Sequence, residues 1–212
     1  MNKYKYLLFD LDGTLADTDP LIIQTMYDLY DKYNEGKRKS VEEIYYFSGP
    51  PIKETLSQEF PDVDLDLIYK DFHDISYQYY KTHIYLFNDE VDVLNKLVKK
   101  GYKLGVVTNK QHDLALYALK ILGIDKFFDV IVGANDVKKT KPNPDGINFA
   151  LDMLKCLHKE GAIYIGDNRS DYLTSVNADI DSMLVNWGPR KLEDVHPIKL
   201  VSSYQELWEF FK

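Results

Sequence analysis

Short apolar runs recur along most of this chain and predict the strands of a sheet. Each run is only a few residues long, and most are followed by a turn or a polar motif, which is typical of buried strands. The predicted strands are Tyr4–Phe9, Leu104–Val107, Val130–Val132, Ala162–Ile165 and Ser182–Val185.

Apolar residues at helical spacing occupy the segments between these runs. In the first such segment Leu94, Leu97 and Val98 form one apolar face, and Gly101 follows as a C-cap. Strands that alternate with helices imply right-handed crossovers, so we predict an α/β fold with a Rossmann-like parallel sheet and helices on both faces. Ligands are then expected at the carboxyl ends of the strands. The predicted helices are Glu90–Lys100, Asp113–Leu122, Asp145–His158, Ser170–Ala178 and Tyr204–Phe211.

One long segment near the N-terminus lacks strand patterns and predicts an inserted helical domain. We expect this domain at residues 18–85, between two parts of an α/β core at residues 1–17 and 86–212. Within it, Gly49-Pro50-Pro51 cannot continue a helix and predicts a turn, either a rigid connector or a specificity loop that faces the ligand pocket. The predicted helices of this domain are Leu21–Tyr33, Val41–Phe47, Ile52–Phe60 and Leu65–Lys81.

Composition and charge exclude several classes of protein. The 212 residues are 45% hydrophobic and 28% charged, which is typical of a globular protein. A formal net charge of −8 argues against nucleic-acid and anionic-membrane partners, so an anionic substrate must be attracted by a metal or a few lysines. With Cys156 as the single cysteine, and with no signal-peptide pattern or long apolar segment, we expect a cytoplasmic protein.

Two carboxylates stand where the first predicted strand ends. If the chain stays extended, the side chains of Asp10 and Asp12 point to the same side and face one pocket. A divalent cation between them, or a proton shared with a reacting group, would relieve their repulsion. Gly13 lets the backbone turn and approach a bound ligand. The pattern indicates metal and phosphate chemistry, whereas an Asp-Gly pair alone is typical of a turn.

Further polar motifs follow other predicted strands. Thr108-Asn109 alone is typical of a turn or a helix cap, and a lysine before a proline, such as Lys141, is usually a solvated surface residue. Asp167 follows a predicted strand and Asp171 lies in the first turn of the next predicted helix, where such residues also form turns and N-caps. Together with the two N-terminal carboxylates, they supply the oxygen ligands that Mg2+ prefers.

The order and spacing of these motifs resemble the haloacid dehalogenase (HAD) superfamily. The helical insertion is similar to the C1-type cap of its phosphoglycolate phosphatase-like branch, whose cap loop and second motif resemble Ser48–Ile52 and Val107–Lys110. Asn88-Asp89 stands where related chains often carry a glycine. The motifs are Asp10-Leu11-Asp12-Gly13-Thr14, Thr108, Lys141, and Gly166-Asp167 with Asp171.

The resemblance implies a role for each carboxylate. Asp10 would be the nucleophile that forms an aspartyl-phosphate, and Asp12 would be the general acid and then the general base. Mg2+ would be held by the Asp10 carboxylate, the Asp12 backbone carbonyl and Asp167. Asp171 would act as a ligand through water or as a partner of Lys141.

The resemblance also implies how a substrate is held. Thr108 and the Asn109 backbone would bind the phosphoryl oxygens, next to the Gly13 turn, while Lys141 would neutralise the transition state. We expect Lys110 or Lys53 to contact the leaving group. A second aspartate favours phosphoryl transfer over dehalogenation, because a halide leaves without a proton.

The expected activity is a Mg2+-dependent phosphatase, similar to phosphoglycolate phosphatase, that hydrolyses small phosphorylated metabolites. A β-phosphoglucomutase-type sugar phosphomutase and a nucleotidase or pyrophosphatase share the same core and stay open as alternatives. A non-catalytic binding protein is a remote alternative, since fold does not imply function. The sequence leaves the substrate open, and it is compatible with a monomer or a homodimer.

Overall fold

The core of the protein is a parallel sheet with its central strand leading into the first motif. We describe residues 3–33 and 37–212 of a computed structural model. The six strands of the sheet are β1 (Tyr6–Phe9), β2 (Lys103–Val107), β3 (Val130–Val132), β4 (Ala162–Gly166), β5 (Asp181–Val185) and β6 (Lys199–Val201). They pair in the order β3-β2-β1-β4-β5-β6, and every pair is parallel. The strand order reverses at β1, so ligands are expected at its carboxyl end.

Helices cover both faces of this sheet. They are α1 (Asp19–Tyr33), α2 (Val41–Ile44), α3 (Ile52–Glu59), α4 (Leu65–Tyr79), α5 (Glu90–Lys99), α6 (His112–Leu122), α7 (Asp145–Met153), α8 (Arg169–Ala178) and α9 (Tyr204–Phe211). Leu7 and Phe9 of β1 belong to one apolar core with α5, α6 and α9, and Leu8 belongs to a second core with α7 and α8. The predicted α/β fold with a parallel sheet is therefore confirmed. Among residues 3–33 and 37–212, none of the helices combines the length and the apolar composition that a membrane span requires.

The helices α1 to α4 lie between β1 and β2 along the chain, and α1 packs against α4. Two backbone hydrogen bonds, of 2.9 and 3.0 Å, join Asp17 and Tyr85 where the chain leaves the sheet and returns to it. This pair lies at the edges expected for a domain at residues 18–85. The division of the chain into two domains stays a prediction.

Some element boundaries differ from those predicted. The sequence pattern does not predict strand β6, because only three residues form it and only Val201 is buried. Helix α7 ends at Met153 rather than at His158, since Lys155 adopts a left-handed φ of 55° and Leu157 is 88% exposed. The predicted helix Val41–Phe47 is helical only to Ile44 and continues as a 3-10 turn.

A buried carboxyl group lies where the chain returns from the inserted helices to the sheet. Asp89 has a left-handed φ of 64°, which accounts for the glycine that related chains often carry there. The next side chain, Glu90, is 1% exposed and accepts a hydrogen bond of 3.0 Å from the Phe87 N–H. Burial raises the pKa of Glu90 from 4.5 to about 9, although hydrogen bonding opposes the shift.

We expect the Glu90→Gln variant to be more stable than the wild type at pH 8. Because the pKa is raised in the folded state, the native protein binds the extra proton, and stability falls as pH rises from 4.5 to about 9. Gln keeps the acceptor for Phe87 without that loss, so the variant should gain about 3 kcal/mol relative to the wild type between pH 6 and pH 8. Urea unfolding at pH 6 and pH 8 measures it. Exposed Glu193 gives the control Glu193→Gln, and equal pH slopes in wild type and Glu90→Gln would contradict the prediction.

Candidate active site

Asp10 and Asp12 follow β1 directly and line the same cavity, as the sequence predicts. The Asp10 N–H donates to the Ile165 carbonyl at 2.8 Å, so β1 stays paired with β4 as far as this carboxylate. Beyond it the chain turns sharply, and Gly13 adopts a left-handed φ of 80°. A Cβ atom at residue 13 would lie 2.2 Å from the Asp167 carboxylate. Glycine therefore permits both the turn and the close approach.

Three carboxylates converge behind this cavity. One oxygen each from Asp10, Asp167 and Asp171 lies within 4.8 Å of the others, and all three side chains are buried. The turn between β4 and α8 fixes this arrangement, because Asp171 accepts hydrogen bonds of 3.1 Å from the N–H groups of Asp167 and Asn168. A Cβ atom at Gly166 would lie 2.3 Å from the Asp171 carboxyl carbon, so residue 166 must lack a side chain.

Lys141 is buried between two of these carboxylates. Its Nζ lies 2.7 Å from Asp10 and 2.7 Å from Asp171, and the residue is 4% exposed. Asn109 positions it, since the Asn109 Oδ1 accepts the Lys141 N–H at 2.9 Å. Burial opposes the lysine charge, yet Asp10 and Asp171 raise the pKa of Lys141 well above its ordinary value. A lysine that would be solvated in most sequences is here a fixed internal cation.

The cluster leaves its carboxylates poorly stabilised as anions. Burial raises the pKa of Asp10 to about 7, although Lys141 opposes the shift, and it raises the pKa of Asp167 to about 8 against Arg190. A divalent cation would favour the charged forms of both groups. The donor set consists of hard carboxylate oxygens, so the residues fit Mg2+. The Asp12 side chain is not part of this set.

Asp12 instead contacts the lysine that follows the second motif. The Lys110 Nζ lies 2.9 Å from the Asp12 Oδ1, with these side chains only 11% and 16% exposed. Burial lowers the pKa of Lys110, but Asp12 and Tyr80 raise it more, so the net shift is upward. Thr108 is buried, and its Oγ1 accepts the Lys110 N–H at 3.2 Å. All of these residues line the cavity.

The inserted helices contribute part of the cavity lining. The predicted turn faces the pocket, because Ser48, Gly49 and Pro50 line it and the Gly49 carbonyl accepts a 3.0 Å hydrogen bond from the Asn109 amide. The cavity volume is about 80 Å³, several times the roughly 10–15 Å³ that one water needs. It suits a small ligand. Helix α4 and the residue after it contribute Tyr69, Phe72, His73, Ser76 and Tyr80.

The structure does not bring Lys53 to this site, although the sequence analysis expects it there. Ile52 lines the cavity, and the next residue of a helix points about 100° away from it. The Lys53 side chain is 49% exposed, and its Nζ lies 3.4 Å from Asp66 and 4.5 Å from the Tyr69 ring centre. A role for Lys53 with the leaving group therefore has no support in its position.

Two residues at the site are absent from the sequence prediction. Arg190 is 6% exposed and donates to Asp167 at 2.9 Å, although a turn of Gly188, Pro189 and Arg190 signals only a loop. His73 lines the cavity, and its buried Nε2 has no hydrogen-bond partner among the described residues. Burial, followed by the charge of Lys110, lowers the pKa of His73, which favours the neutral form of the ring.

Comparison with known proteins identifies the family. A sequence profile described as "Haloacid dehalogenase-like hydrolase" matches residues 7–185. "Pyrophosphatase PpaX" of Bacillus velezensis is 37% identical over 210 residues, which cover 95% of this chain and 93% of that protein. A crystal structure of "a predicted phosphatase from Clostridium acetobutylicum" is 26% identical with a TM-score of 0.82, and the match covers 98% of each chain.

A crystal structure of "a predicted phosphoglycolate phosphatase" from Haemophilus somnus matches with a TM-score of 0.88 over 100% of both chains. At 18% identity this likeness shows the fold alone. The profile covers residues 7–185 and the Bacillus velezensis relative covers 95% of the chain at 37% identity, and both agree with the expected enzyme class. The chain therefore belongs to the haloacid dehalogenase-like hydrolase family and is one of its phosphatases.

Proposed function

We propose that the protein is a Mg2+-dependent phosphatase of small phosphorylated compounds that works through an aspartyl-phosphate on Asp10. The observation that supports this most directly is the setting of Asp10. Its carboxylate lines a small cavity, contacts Lys141, and shares a cluster of oxygen ligands with Asp167 and Asp171. A nucleophile, a cation site and a fixed positive charge are thus held together where a phosphoryl group can reach them.

The residues of the cavity divide the reaction into two steps. Asp10 attacks phosphorus, and the bond from phosphorus to the leaving oxygen breaks as Asp12 gives that oxygen a proton. Asp12 then takes a proton from water, the water oxygen attacks phosphorus, and the bond to Asp10 breaks. Lys110, 2.9 Å from Asp12, keeps this carboxylate beside the leaving group.

Charge stabilisation comes from groups that are already in place. Thr108 and the Asn109 backbone bind the phosphoryl oxygens, and Lys141 offsets the charge that builds up as Asp10 attacks. Mg2+ held by Asp10, Asp167, the Asp12 carbonyl and Asp171 would let the anionic nucleophile and the phosphoryl group approach each other.

The leaving group lies towards the inserted helices, and it is small and at least partly anionic. Lys110 supplies a positive charge there, and His73, whose lowered pKa favours the neutral ring, supplies a hydrogen-bonding nitrogen. Pyrophosphate fits this description, and relatives at 33–38% identity carry the name pyrophosphatase. Phosphoglycolate is the second candidate, because Phe47 and Phe72 give the cavity an apolar wall that fits carbon.

We expect Mg2+-dependent phosphate release from pyrophosphate, exceeding release from phosphoglycolate, sugar phosphates and nucleoside monophosphates. The measurement is a phosphate assay over this panel with and without Mg2+, with Asp10→Asn as the blank. A preference for phosphoglycolate keeps the mechanism and changes the substrate. Conversion of a sugar phosphate to its isomer without phosphate release would overturn the proposal in favour of a phosphomutase.

A further inference from the structure

Arg190 joins the cation site to the first inserted helix. This residue lies in the loop after β5, and its Nη1 donates to the Asp167 Oδ2 at 2.9 Å. Its Nη2 donates to Asp19, the first residue of α1. The three residues are 6%, 3% and 8% exposed, so water screens these contacts little. One guanidinium therefore bridges a predicted metal ligand and the start of α1.

Both oxygens of Asp167 are engaged by donors. The Oδ2 accepts from Arg190, and the Oδ1 accepts from the Asn168 amide at 3.2 Å. An oxygen that accepts from a guanidinium presents less negative charge to a cation, and the positive charge of Arg190 repels a cation nearby. A divalent cation at Asp167 must therefore compete with Arg190.

Asp19 acts in the opposite direction. It shares the same guanidinium, so it draws Arg190 away from Asp167, and its own charge favours a cation nearby. Arg190 does not line the cavity that holds the proposed nucleophile; it lines a separate cavity with Gly13, Asp19 and Trp187. Its influence on the reaction would thus pass through Asp167 rather than through the substrate.

We propose that Arg190 sets the affinity of the cation site by dividing its contacts between Asp167 and Asp19. Without the cation it neutralises Asp167, and when a divalent cation occupies Asp167 the guanidinium turns to Asp19 alone. Cation binding and the anchoring of α1 are then coupled through one side chain. The inference rests on the proposed function, because it takes Asp167 as a Mg2+ ligand.

Two substitutions should shift Mg2+ affinity in opposite directions. Arg190→Gln removes the competing charge, so we expect Mg2+ to bind roughly fivefold more tightly or better. In Asp19→Asn the only carboxylate that still pairs with Arg190 is Asp167, so we expect Mg2+ to bind at least roughly fivefold more weakly. Calorimetric titration with Mg2+, together with the Mg2+-induced rise in melting temperature, measures both changes. Arg169 is exposed at the start of α8 and provides the matched control Arg169→Gln, which should bind as the wild type does.

Opposite changes in Mg2+ affinity would distinguish the proposed effect of Arg190 on the cation site from a purely structural role. If Arg190 only held Asp167 in place, both variants would bind Mg2+ more weakly, and the proposal would be wrong. Arg190→Lys, with one charged group instead of a fork, should hold one carboxylate and bind Mg2+ with intermediate affinity. Circular dichroism without Mg2+ confirms that each variant is folded. Titration does not need turnover, so opposite shifts without phosphate release would refute the proposed function alone, whereas phosphate release with wild-type binding in both variants would refute this inference alone.

Discussion

Asp10→Asn should lose phosphate release by about 10³-fold or more, because the amide cannot attack phosphorus. The substitution keeps the size of a side chain that is 2% exposed, and Lys141 keeps its second partner, Asp171. The fold should therefore be retained. Steady-state phosphate release under saturating Mg2+ measures the effect, and the melting temperature of the variant reports its fold.

The nucleophile assignment can also be tested without turnover. Acid quenching during the reaction should leave covalent phosphate on Asp10 in the wild type and none in Asp10→Asn. Exposed Asp152 supplies the control Asp152→Asn, which should turn over as the wild type does. If Asp10→Asn hydrolysed substrate at the wild-type rate, another group would have to be the nucleophile.

The parts of the site that sequence predicts are those fixed by local pattern and topology. Asp10 and Asp12 stand two residues apart after an apolar run, and this spacing predicts that both side chains point into the same cavity, as they do. Thr108 and Asp167 follow neighbours of β1 in a parallel sheet, whose carboxyl ends meet along one edge. Their convergence follows from the strand order.

The features of the site that the sequence does not predict depend on how segments distant along the chain pack together. Arg190 reaches Asp167 because the loop after β5 folds back over Gly13, and no local pattern encodes that path. The expected contact between Lys53 and the leaving group lacks support for a related reason. Its neighbour Ile52 points into the cavity at the start of α3, and helical geometry turns the lysine outward. Strand β6 is too short for a periodic signal and is defined by its pairing with β5.

Removal of the Lys141 charge should produce the largest loss of stability. In Lys141→Met the methylene stem is replaced by a side chain of similar length, but Asp10 and Asp171 lose the ammonium that lies 2.7 Å from each. Breaking a buried ion pair by removing one partner costs about 3–5 kcal/mol, because the remaining charge stays buried. We expect a loss of this size in urea unfolding at pH 8 without Mg2+.

Two conditions should restore part of that loss in Lys141→Met. The pKa of Asp10 rises further when the lysine that opposes its upward shift is removed, so the folded variant takes up a proton and its deficit shrinks as pH falls from 8 to 6. Mg2+ at the same carboxylates replaces the missing positive charge, so the deficit should also shrink as Mg2+ is added. The exposed Lys139 supplies the control Lys139→Met, whose stability should stay within about 0.5 kcal/mol of wild type. A deficit in Lys141→Met that neither acid nor Mg2+ reduces would mean that Lys141 stabilises the fold by packing, and that its charge does not balance the carboxylate cluster.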